Sequence, residues 1–144
     1  MSGDVGGKRL RIIRTMHGLH LMADLRGCLP SAPMSDTTPA AMTDPAALRS
    51  LCMQAVAAAG LQAVGEQFHR FPPPGGVTGV VLLAESHLAV HTWPELGAVT
   101  LDVYVCNLGG DNSARAQALL LALQTAFAPM AAVHHHVLRG QPGP

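Results

Sequence analysis

Lysine is almost missing from this chain: Lys8 is the only one in 144 residues. A pyridoxal-phosphate enzyme holds its cofactor as a Schiff base on a buried lysine, and Lys8 lies in a polar lead-in, so that class is excluded and any carbonyl electrophile has to come from elsewhere. Net charge is missing too. Nine basic residues balance nine acidic ones, leaving no long-range field to draw in nucleic acid or anionic lipid, so neither is expected as a partner. The cluster Lys8, Arg9, Arg11 and Arg14 reads as a solvated arm. No apolar run is long enough to cross a bilayer, and "MSGDVGGKRL" lacks the apolar segment of a secretory signal, which makes a cytoplasmic location the expectation. CxxC spacing is also absent. Cys28, Cys52 and Cys106 form no disulfide framework in a reducing compartment, which leaves room for a chemically active thiol.

What is present suits one domain over residues 1–144, with 1–16 as a flexible arm. "HGLHLMADL" alternates as a strand, with Leu19, Leu21, Ala23 and Leu25 on one face and His20, Met22 and Asp24 on the other. The stretch 27–45, rich in Pro, Ser, Thr and Ala, reads as a long flexible loop. A helix follows, with Asp44 as cap, Pro45 at the first position, Leu48, Leu51, Cys52, Ala55, Val56 and Ala59 at helical spacing, and Gly60 at the exit. Cys52 is thereby assigned to the core. A weak strand near 61–68, the loop "FPPPGG" and an apolar strand at 79–84 come next. "VTLDVYVC" puts Val99, Leu101, Val103 and Val105 on one face and Thr100, Asp102, Tyr104 and Cys106 on the other. A second helix is expected from Asn112 to Phe127, with Asp111 as cap and Ala116, Leu119, Leu120, Leu123 and Phe127 as its apolar stripe. "VHHHVL" closes as a strand. The fold class is therefore α+β, a mostly antiparallel sheet with two main helices on one face.

Polar chemistry concentrates in "AESHLAVHTWPE", residues 84–95. Ser86 could serve as the nucleophile of a Ser/His/Asp hydrolase, but the glycines of a G-x-S-x-G elbow are absent. Cys106 and His91 could form a nucleophilic pair. His134, His135 and His136, with His87 or His91, could suggest a metal site. Consecutive strand residues point to alternating faces, however, so no metal is expected.

The contiguous stretch "GVTGVVLLAESHLAVHTWPE", joined to "LDVYVC" with Cys106 twenty positions after Ser86, resembles the pyruvoyl-dependent S-adenosylmethionine decarboxylases of the short bacterial and archaeal type. "GLHLMADLRGC" and "FHRF" extend the resemblance over most of residues 18–139. It implies a two-layer α/β sandwich and a proenzyme that cleaves itself between Glu85 and Ser86, giving a β chain 1–85 and an α chain 86–144. In such enzymes the serine becomes an N-terminal pyruvoyl group, whose ketone condenses with the substrate amine. No pyridoxal phosphate and no external cofactor are then needed, which accords with the shortage of lysine.

Carried over residue by residue, the resemblance makes Ser86 the pyruvoyl precursor, His91 the proton acceptor in processing and Thr78 its hydroxyl support. It makes Cys106 the acid that protonates the substrate carbon after carbon dioxide leaves. Phe71 would stack on adenine, Glu95 would contact ribose hydroxyls or an amine, and His87 belongs to the same substrate-binding set. A homodimer with sites near the interface is implied, as is a place in spermidine biosynthesis. The chain departs from the family pattern in a longer loop between Phe71 and Thr78, and at Leu96 and Asn107. Relatives on this scaffold decarboxylate L-ornithine or L-arginine, which is the alternative substrate reading; a non-catalytic regulatory homologue is the third.

Overall fold

The computed structural model describes residues 17–28 and 39–140. The expected arm at 1–16 and the middle of the 27–45 loop lie outside them. Six strands form one sheet: β1 (Gly18–Arg26), β2 (Ala63–Arg70), β3 (Val77–Leu83), β4 (Ser86–Trp93), β5 (Ala98–Cys106) and β6 (Ala131–Arg139). Their spatial order is β2-β3-β4-β5-β1-β6, and every neighbouring pair is antiparallel. Helices α1 (Pro45–Ala58) and α2 (Ser113–Phe127) cover one face.

Local chemistry sets the helix ends. At the start of α1, the Asp44 carboxylate accepts a hydrogen bond of 2.9 Å from the Ala46 N–H, with Pro45 in the first turn. Its exit is a Schellman motif around Gly60, where φ is 75°: Leu61 N–H donates to Val56 O and Gly60 N–H to Ala57 O. In α2 the cap position belongs to Asn112, one residue later than expected, while Asp111 accepts from Ser113 N–H at 2.9 Å.

The core forms where the alternating strand faces meet the helix stripes. Leu21, Ala23, Leu25, Val81, Leu88, Val90, Val99, Leu101 and Val103 pack against Leu48, Cys52, Val56, Leu119, Leu123 and Phe127. Burial drives this assembly, at roughly 25 cal/mol for each Å² of apolar surface removed from water. Cys52 is fully buried, and the lack of solvation pushes its thiol up to about 12, so it stays protonated and inert. Cys28 is shifted upward for the same reason.

Two further findings differ from what the sequence predicts. Residues 86–93, to which it assigns no element, form β4, an interior strand of the sheet. The ends of the 27–45 segment are anchored: Cys28 and Met42 are buried, and Ala40–Met42 makes a 3-10 turn.

Candidate active site

The sheet face without helices carries the polar side of the alternation: Thr78 on β3, His87 and His91 on β4, Asp102 and Tyr104 on β5, His20 on β1. The candidate residues divide into two groups, one toward each end of β4, with Ser86, the cross-strand partner of core-facing Leu83, on the opposite side of that strand from His87 and His91.

The first group surrounds the β3–β4 turn. Leu83 and Ser86 pair across a two-residue turn made by Ala84 and Glu85, and Glu85 has φ of 61°. The Ser86 hydroxyl donates to Ala84 O at 3.3 Å, which folds it back over the turn. On β5 the ladder pairs His87 with Tyr104, so continuing the register by two residues brings Cys106 alongside the Glu85–Ser86 junction. Cys106 ends β5 with 9% exposure, and its carbonyl accepts a hydrogen bond of 2.9 Å from Asn112 Nδ2.

Beside them lies a cluster whose other members the sequence reading left unassigned. His20 Nε2–H donates to Asp102 Oδ1 at 3.0 Å. The Tyr104 ring lies 5.6 Å from His87 and 6.0 Å from His20, and the Arg139 guanidinium stands 5.7 Å from the Tyr104 centroid. Burial lowers the His87 pKa below its ordinary value; His20 and Arg139 push the same way and Asp102 opposes them. His87 is consequently neutral at pH 7. The alternation of β5 already put Asp102 and Tyr104 on the face of Cys106, a usable signal. Arg139 and His20 meet only through the pairing of β1 with β6, which no local pattern announces.

The second group lies toward the other end of β4. Thr78 and His91 are cross-strand partners, and Thr78 Oγ1 and His91 Nδ1 share a hydrogen bond of 3.0 Å. They line a cavity of about 350 Å³ together with Phe71, Trp93 and Glu95. The loop 71–76 forms its rim, closed by Phe71 N–H donating to Gly76 O at 2.9 Å.

Within one chain these groups do not meet. Ser86 and His91 are five residues apart on an extended strand, about 16 Å. The pairing of Cys106 with His91 considered from sequence is corrected on the same ground: His91 lies opposite Thr100, six residues and about 20 Å from Cys106. The histidine triplet splits as alternation requires. His134 donates to Gln124 of α2 at 2.6 Å, while His135 donates to Asp24 at 3.3 Å from the other face.

Residues 19–140 match the family described as S-adenosylmethionine decarboxylase. The chain belongs to that family. Its members are pyruvoyl-dependent carboxy-lyases. The S-adenosylmethionine decarboxylase proenzyme of Archaeoglobus fulgidus is 37% identical over 123 residues, covering 85% of this chain and 97% of that one. The proenzyme of Aquifex aeolicus is 45% identical over 96 residues, 67% of this chain and 62% of the relative. The crystal structure of the Aquifex aeolicus adenosylmethionine decarboxylase superposes with a TM-score of 0.74 at 32% identity, covering 90% of this chain and 95% of that one. Both groups, the turn with Cys106 and the cavity with His91, fall inside the matched span. Among the described residues no helix is long and apolar enough to cross a membrane.

Proposed function

We propose that residues 1–144 form one self-cleaving domain that decarboxylates S-adenosylmethionine through a pyruvoyl group generated from Ser86. The observation that carries this reading is the register of β4 and β5, which puts Cys106 beside the Glu85–Ser86 junction. The surroundings suit such a group: the serine sits at a tight turn, folded back over it, and Cys106 lies on the same face as the polar cluster.

The chain's own residues then divide the work. The Ser86 hydroxyl attacks the Glu85 carbonyl to give an ester, and loss of the Ser86 α-proton releases the two chains. His91 is the acceptor of that proton: in the tautomer with Nδ1–H donating to Thr78 Oγ1, Nε2 carries the lone pair that takes it. The pyruvoyl group supplies an electron-withdrawing carbonyl for the substrate amine. Cys106 Sγ–H delivers a proton to the substrate carbon once carbon dioxide has left. Phe71 and Trp93 offer ring surfaces for adenine, and the Glu95 carboxylate accepts from ribose hydroxyls.

Because His91 and Thr78 stand about 16 Å from Ser86 in their own chain, a second copy must supply them. We place two copies with their helix-free faces together, related by a twofold axis, so that the cavity of each faces the turn of the other. Leu82, Val133 and Val137 are exposed on that face and gain burial there. The neutral balance of charge keeps nucleic acid and membrane out of this account, in a cytoplasmic enzyme of spermidine biosynthesis.

Carbon dioxide release tests the reading. The purified protein is expected to release it from S-adenosylmethionine and not from L-ornithine or L-arginine, and Ser86→Ala to abolish both cleavage and release. Release from a basic amino acid instead would reassign the substrate.

A further inference from the structure

Glu85 contributes the carbonyl that Ser86 attacks, and its backbone is unusual. Among the described residues only Glu85 and Ala128 combine a side chain with left-handed backbone, at φ of 61° and 45°. Ala128 ends α2, where that conformation is common. Glu85 occupies the second place of a two-residue turn, where glycine or asparagine is usual. A positive φ crowds Cβ against the neighbouring backbone, at a cost of about 1–2 kcal/mol. The conformation is held from both sides: Leu83 pairs with Ser86 across the turn, and Ala84 N–H donates to Gln62 O at 3.1 Å.

We propose that the β3–β4 turn stores this strain in Glu85 and that its release speeds the first step of self-cleavage. The inference rests on the reading of Ser86 as the cleavage serine. In that step the bond from Ser86 Oγ to the Glu85 carbonyl carbon forms, the carbon–nitrogen bond of the junction breaks, and the hydroxyl proton ends on the freed amino nitrogen. The ester joins Glu85 to Ser86 through Oγ and Cβ, one atom more than the peptide link through N. The turn then no longer dictates φ, and the crowding of Cβ is relieved. The Glu85 side chain is exposed, so the feature that matters is its Cβ and not its carboxylate.

The test compares Glu85→Ala with Glu85→Gly, since both lack the carboxylate and only glycine escapes the left-handed penalty. Fragment appearance is followed in freshly translated full-length chain by denaturing electrophoresis, beside the unaltered protein. The glycine variant is expected to cleave about fivefold more slowly than the alanine variant. In a second pair carrying Ser86→Ala, which stays uncut, the glycine version is expected to melt no lower than the alanine version. Equal or faster cleavage with glycine would overturn the proposal. So would slower cleavage accompanied by a lower melting temperature, which would make a loosened turn the cause. Failure of the unaltered chain to cleave would instead overturn the underlying assignment of Ser86.

Discussion

Thr92 is a polar side chain sunk into the core at 4% exposure, and its hydroxyl closes a three-way junction. It accepts from Val77 N–H at 2.8 Å and donates to Met42 O at 2.7 Å, tying the 3-10 turn to β3 and β4 at the back of the cavity that holds His91. Thr92→Val keeps the shape and strands both partners, each at about 1–3 kcal/mol. The expected loss is about 2–4 kcal/mol, read as a fall in melting temperature on the order of 10 °C by calorimetry. At this scale the sequence was legible where one residue type has one physical use. Asp44 and Pro45 announced the start of α1, Gly60 its end, and the helical spacing of Cys52 its burial. The same reasoning separated the cysteines, since Cys52 is sealed in the core and Cys106 stands among the polar residues of β5. Thr92 itself was not legible, because a threonine destined for the core looks like any strand threonine until its hydrogen-bond partners are known.

At the scale of elements, legibility followed how cleanly one face was apolar. β1 and β5 have a full apolar face against a polar one and were recognisable by alternation alone. β4 was not, because its core face reads Leu88, Val90, Thr92 while its other face offers His87, Ala89, His91 and Trp93. A threonine inward, with alanine and tryptophan outward, erases the period. β6 is an edge strand with little buried surface, so "VHHHVL" gave its existence but neither its limits nor its partner. The 27–45 stretch shows the opposite limit. Single anchors such as Cys28 and Met42 have no periodicity, and only tertiary packing reveals them. The strain at Glu85 is likewise a property of the turn between two strands, invisible while β4 remained unassigned.

Whole-molecule scale decides whether the site can work. Motif reading put Thr78, Ser86, His91 and Cys106 in one functional set, and the sheet then spread them along β4, Ser86 and Cys106 by the turn and Thr78 and His91 by the cavity, about 16–20 Å apart. Sequence distance gave no warning, because five residues span 16 Å in a strand but only about 7 Å in a helix. The proposed pair of facing copies would resolve the separation, and it makes a complementation prediction. Ser86→Ala and His91→Ala chains, each uncut or slowly cut alone, are expected to restore cleavage of the His91→Ala chain when co-expressed, since the mixed dimer holds one intact Ser86 opposite one intact His91. Electrophoresis of differently tagged chains checks it; no rescue would put both roles in one chain. The central claim, that the chain makes its own electrophile, is tested most directly by the intact mass of the purified protein under denaturing conditions. Two polypeptides meeting between Glu85 and Ser86 are predicted, the second lighter by one ammonia than a chain beginning with serine. A single uncut chain, or a second fragment that still begins with serine, would contradict it.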